Sequence, residues 1–326
     1  MKKVLFSFFY LLVVLGAIGY VAYEIVKPIY IEPKVVEIKY GTPVPDVAKK
    51  LENEGIISSK YYFLILHAFK RGKLEAGEYE FKGFLSIYDV YKVLEEGKTK
   101  LYKITVKEGD DLFEIAENLE RNNICNGEDF LRYALSEKVA EKYNLNVPSM
   151  EGFLFPDTYY FSRNTHPLKV IDVMYKNFLS KTQEMRRELK KKNLSLETWV
   201  IVASMIEKET FLDKEKPLIA AVIYNRLKRG MKLQIDPTVI YVAKRNGFWK
   251  GKLLKKFYKL DDPYNTYMYY GLPPGPISNP GLASLKAALY PADVDYFYFV
   301  ADRYGRRHYF SRTYVEHLRN MRKAGR

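Results

Sequence analysis

Cysteine is almost missing from this 326-residue chain. Cys125 stands alone, so no intrachain disulfide can form and stability must come from packing. The four histidines, His67, His166, His308 and His317, have no motif context. With no CxxC or Cys/His spacing, no metal framework is expected. No Gly-rich phosphate loop and no Ser/His/Asp pattern appears, so no cofactor is expected either. Nineteen Gly and fifteen Pro are too few for a fibrous or low-complexity protein, and 48% hydrophobic with 28% charged residues describes ordinary folded domains.

Acidic residues are in deficit, 39 against 53 Lys and Arg, giving a formal charge of +14. The basic residues are nevertheless spread along the chain among the acidic ones, which argues against a nucleic-acid partner. Only the tail is notably basic. Arg303, Arg306, Arg307, Arg312, Arg319, Arg322, Lys323 and Arg326 face Asp302 and Glu316 alone, a pattern suited to a solvated helix face or to an anionic polymer. Aromatics are abundant at 15%, mostly Tyr, which fits β-surfaces and also sugar-binding clefts.

What is present first is a long apolar run. Met1-Lys2-Lys3 precedes an uncharged stretch from Val4 to Tyr23, close to the ~20 residues a helix needs to cross a bilayer. The run exceeds the ~7 to 15 apolar residues of a cleaved signal peptide. Lys2 and Lys3 favour an N-terminus inside, which places the chain beyond about Glu24 on the outer face of the cytoplasmic membrane, in a single-pass topology.

After Pro28 a weak internal repeat recurs at one register: Gly41 with Gly109, Val44 with Leu112, Ala48 with Ala116, Leu51 with Leu119 and Ile56 with Ile124. Each copy alternates as a strand, turns at Gly and continues as a short amphipathic helix. Such βα units resemble LysM-like modules, relatives of which bind N-acetylglucosamine polymers. From about Tyr143 the character changes. A Lys-rich stretch, Leu168 to Lys192, reads as helical; Ser195 reads as the N-cap of an apolar helix through Glu209; Asp213 and Pro217 open another that stops at Gly230. A short helix spans Leu282 to Leu289 and a strand Tyr296 to Val300. The fold class is α+β, divided into an anchor at 1–26, modules at 27–100 and 101–150, and a C-terminal mixed domain at 151–326.

Helical spacing puts Val200, Ala203 and Ser204 on the face of Glu207, so this carboxylate projects from an apolar face. Glu is rarely buried without a partner, and a partly buried one is suited to donate a proton to a leaving oxygen. Glu209 points about 200° away and reads as a solvated or capping charge. Asn225, Arg226, Gln234, Asp236 and the run Tyr264-Asn265-Thr266-Tyr267 are candidates to hold sugar hydroxyls, although Asp before Pro and Asn in a loop also form turns.

Seven ordered segments carry a family resemblance: Glu151-Gly152-Phe153-Leu154-Phe155-Pro156-Asp157-Thr158-Tyr159, Ala203-Ser204-Met205-Ile206-Glu207-Lys208-Glu209-Thr210, Asn225-Arg226-Leu227, Leu233 to Tyr241, Tyr264 to Tyr267, Gly271 to Ile277, and Tyr298 to Asp302. The chain resembles the YceG-like endolytic murein transglycosylases (MltG). The resemblance implies a lyase that cleaves the β-1,4 bond between N-acetylmuramic acid and N-acetylglucosamine inside peptidoglycan glycan strands, leaving 1,6-anhydromuramoyl ends. It implies no cofactor, an action on new strands that ends their elongation, and cell-wall synthases as neighbours. The family's catalytic glutamate is carried onto Glu207, with Gln234, Asp236, Tyr264, Asn265 and Glu151 as substrate-binding residues. A glycoside hydrolase using Asp236 or Glu209, or a tethered peptidoglycan-binding protein without catalysis, are the competing readings.

Overall fold

The computed structural model describes residues 2–325, which fold as two compact units: residues up to Tyr102 with Ser162–Asn164, and Lys103–Phe161 with Thr165 onward. The class is mixed α+β. The segment expected as a separate module at 101–150 packs within the same unit as the region from 151 onward.

The first unit begins with helix α1 (Lys2–Val26), whose stretch Phe6–Val26 has a mean hydropathy of 2.0 and is not buried within the protein. Strand β1 (Ile29–Ile38) pairs antiparallel with β2 (Gly77–Leu85), and helices α2 (Val44–Asn53) and α3 (Lys60–Lys70) connect them. Helix α4 (Ile87–Glu95) follows, started by a Ser86/Asp89 capping box. Ile38, Leu51, Phe63, Tyr79 and Leu94 are among the side chains that close this unit's core.

The second unit opens with the same order of elements. Strand β3 (Tyr102–Thr105) leads to α5 (Leu112–Arg121) and α6 (Gly127–Ala134), then the short α7 (Glu137–Lys142), and β4 (Thr158–Phe161) returns to pair with β3. Helices α2 and α5 begin and end at equivalent residues of the repeat. The glycines that precede them, Gly41 and Gly109, both adopt the left-handed turn (φ 78° and 83°) that a residue with a Cβ resists.

The Lys-rich stretch forms two helices, α8 (Pro167–Lys181) and α9 (Gln183–Lys192), broken where the buried Thr182 hydroxyl bonds back to the Phe178 carbonyl. Helix α10 (Leu196–Glu209) starts where the Ser195 hydroxyl accepts the Thr198 N–H. Every residue from Trp199 to Ile206 is buried, so α10 is enclosed all round. It is packed by α11 (Lys216–Lys228), α12 (Asp236–Arg245) and α13 (Leu282–Leu289), and the Trp199 indole N–H donates to the Leu285 carbonyl at 2.7 Å. Asp236-Pro237, which could equally have formed a turn, is the first turn of α12. Pro is tolerated there because the first N–H groups of a helix have no partner. A 3₁₀ turn (Lys255–Lys259), the hairpin β5 (Tyr298–Ala301) and β6 (His308–Ser311), and α14 (Tyr314–Lys323) complete the chain.

Candidate active site

The last turn of α10 presents its two glutamates to different surroundings. Glu207 continues the buried face set by Val200, Ala203 and Ser204. Its side chain is 7% exposed and lies 3.3 Å from the Lys216 ammonium, which is 3% exposed. Its other oxygen accepts the Gly281 N–H at 2.9 Å. The loop at Glu108 and Gly109 covers it, with Lys208 donating to the Gly109 carbonyl at 3.0 Å. Burial, and then the charge of Glu207, hold the Glu108 carboxyl above its ordinary range. Glu207 is therefore an enclosed, paired carboxylate.

Glu209, at the end of the helix and on its other side, lines an open cleft of about 470 Å³ together with Arg226, Gln234, Asp236, Tyr267 and His308. Each wall has a local cause. Gln234 sits in the left-handed region (φ 53°), its N–H bonded to the Thr266 carbonyl, and its side chain is exposed to the cleft. Asp236 is fixed by the Tyr267 hydroxyl at 2.6 Å and the Tyr258 hydroxyl at 3.1 Å, both donating to Oδ1. Burial, and then this bond to Asp236, push the Tyr267 phenol far up, so it stays a donor. Arg226 is held by the carbonyls of Phe297, Lys232 and Leu233. His308 lies 2.8 Å from Glu215 through Nδ1, and the same carboxylate accepts the His308 backbone N–H and the Thr210 hydroxyl. The Nδ1 of His317, also at the cleft, is buried without a hydrogen-bond partner, and burial followed by the Arg226 charge holds this imidazole below its ordinary range, hence neutral.

Of the residues expected to hold substrate, the structure brings Gln234 and Asp236 to one cleft and places three elsewhere. Glu151 is fully buried: it accepts the Leu112 N–H at 3.1 Å and the Asn279 amide at 3.1 Å, and shares a hydrogen bond with Tyr241. Burial raises its carboxyl well above the ordinary value, and its hydrogen bonds tie together the start of α5, the 279 loop and α12. Asn265 is also fully buried and staples its own loop, donating to the carbonyls of Tyr258 and Leu260 and accepting the Tyr267 N–H. Tyr264 is 3% exposed, its ring against Tyr241 and under the Arg245 guanidinium. These three position walls and contact no open space. The cleft histidines that sequence reasoning left without a motif, His308 and His317, come from C-terminal segments that only tertiary packing brings to Gln234, Asp236 and Tyr267. Among the described residues no three His, Cys, Asp or Glu side chains gather in a group able to hold a metal ion.

The sequence model of the YceG-like family matches residues 36–323. The chain is 33% identical over 305 residues to the endolytic murein transglycosylase of Bacillus subtilis (strain 168), covering 88% of this chain and 84% of that protein. It is 29% identical over 363 residues to the endolytic murein transglycosylase of Streptococcus pneumoniae serotype 2, covering 98% of this chain and 65% of that longer protein. Among solved structures, a YceG-like protein of Listeria monocytogenes superposes with a TM-score of 0.60 at 33% identity, over 88% of this chain and 99% of that one.

Proposed function

Because this chain belongs to the YceG-like family, we propose that it is an endolytic murein transglycosylase that cuts the β-1,4 bond between N-acetylmuramic acid and N-acetylglucosamine within peptidoglycan strands. We assign the acid/base role to Glu209 rather than to Glu207. The observation that carries this is the placement of Glu209 in one open cleft with Gln234 and Asp236, while both oxygens of Glu207 are occupied by Lys216 and Gly281.

In this reading Glu209 protonates the glycosidic oxygen as the bond from that oxygen to C1 of muramic acid breaks. The C6 hydroxyl of the same sugar then attacks C1, and its proton passes to Glu209, restoring the acid. The product carries a 1,6-anhydro end, and no water enters the bond. Asp236 and Gln234 offer acceptors and a donor to sugar hydroxyls and N-acetyl groups.

Helix α1 is long and apolar enough to span a bilayer, and in this reading it holds the enzyme on the outer face of the cytoplasmic membrane. There it meets strands as the synthases release them and ends their elongation. The test is a pair of variants on purified glycan strands. Glu209→Gln is expected to lose on the order of 10²–10⁴-fold in cleavage rate, the scale of a lost general acid, while Glu207→Gln keeps most activity when folded. The reverse pattern would return the role to Glu207.

A further inference from the structure

Helix α3 carries an exposed apolar stripe at helical spacing: Tyr61, Ile65 and Phe69 are 65%, 37% and 85% exposed. Amphipathic helices of a water-surrounded module turn such a stripe inward. Here it adjoins α1. Ile65, Leu66 and Phe69 face Ala17, Ile18, Val21, Ala22 and Ile25 across a groove of about 530 Å³ with no charged residue in its lining.

The position of this groove along α1 decides what fills it. At ~1.5 Å per residue, Ala17 lies about 13 Å from the end of the membrane-length stretch at Val26, roughly half of a ~30 Å hydrocarbon core. If α1 spans the bilayer, the groove and the end of α3 that forms it stand at the depth of the outer leaflet's acyl chains.

Resting on the membrane reading of α1, we propose that the Tyr61–Ile65–Phe69 face of α3 is seated in the outer leaflet of the bilayer, with lipid acyl chains filling the groove between α3 and α1. The first unit is then a membrane-embedded foot and not a module hanging from a tether.

The full chain carrying Cys125→Ser and Phe69→Cys, labelled with an environment-sensitive fluorophore and reconstituted in vesicles of phosphatidylethanolamine and phosphatidylglycerol, tests this. Leu12→Cys in the same background reports on α1 itself. Both positions are exposed in the protein fold, so neither label disturbs a core. The expected result is blue-shifted emission at both sites, quenched severalfold by lipids brominated on their chains and unaffected by aqueous iodide. A lipid-quenched label at 12 with an iodide-quenched label at 69 would overturn the seating and leave the anchor intact. Blue-shifted emission at 69 quenched by neither agent would mean that protein covers the stripe, which also overturns it. Aqueous signals at both sites would remove the anchor and the seating together.

Discussion

Glu207 and Glu209 lie on different sides of α10, and the proposed acid/base role turns on that difference: Glu207 is enclosed against Lys216, and Glu209 lines the cleft. A carboxylate on an apolar helix face is conspicuous in a sequence. The same apolar face guarantees that it is covered once the helix packs. Lys216, nine residues on, answers that burial, and neither helical period nor local composition announces it. Glu209 looked like an ordinary terminal charge because its cleft is assembled from Gln234, Asp236, Tyr267 and His308, all remote in sequence. Removing one partner of a buried pair strands the other, so Lys216→Met should cost about 3–5 kcal/mol in urea unfolding. Replacing Glu207 with Leu in that background should recover much of the loss.

Glu151 gives a second residue-scale prediction through its raised carboxyl. Above its ordinary value of 4.5 the unfolded chain releases this proton while the folded chain keeps it, so the contribution to stability falls as pH rises from there toward the folded value. Thermal unfolding followed from pH 5 to pH 8 should show Glu151→Gln losing less stability than the parent across that interval. An unchanged slope would mean that Glu151 is ionised in the folded protein.

At the scale of elements, much was open to reading. The Ser195 cap, the ends of α13, the stop at Gly230 and the repeated Gly turns before α2 and α5 are local chemistry, decided by a few neighbouring residues. The start of α12 was missed because Asp-Pro serves equally as a turn and as a first helical turn, and only the Thr238 and Thr266 hydroxyls, bonded 2.9 Å apart, show which. Gly152 illustrates how elements are fitted together. Its φ is 85°, and a Cβ there would come within 2.5 Å of Pro276 and 2.9 Å of Val200, at the root of α10. Gly152→Ala should therefore destabilise by about 2–4 kcal/mol, combining backbone strain with overpacking, as measured by denaturant midpoint at constant m. A loss under about 1 kcal/mol would show that the loop at Gly152 yields easily.

Over the whole molecule, a membrane-length helix and a cleft built from α10 to α14 serve one proposed task, the cutting of glycan strands where they are made. The family membership gives the reaction class, and the cleft is the ground on which the acid/base role is proposed for Glu209. The mass of the new ends tests both at once. Purified peptidoglycan strands digested by the full chain should yield internal cuts whose muramoyl ends are one water lighter than reducing ends, and Glu209→Gln should yield none. Ordinary reducing ends from the parent enzyme, or undiminished anhydro ends from the folded Glu209→Gln variant, would contradict the account.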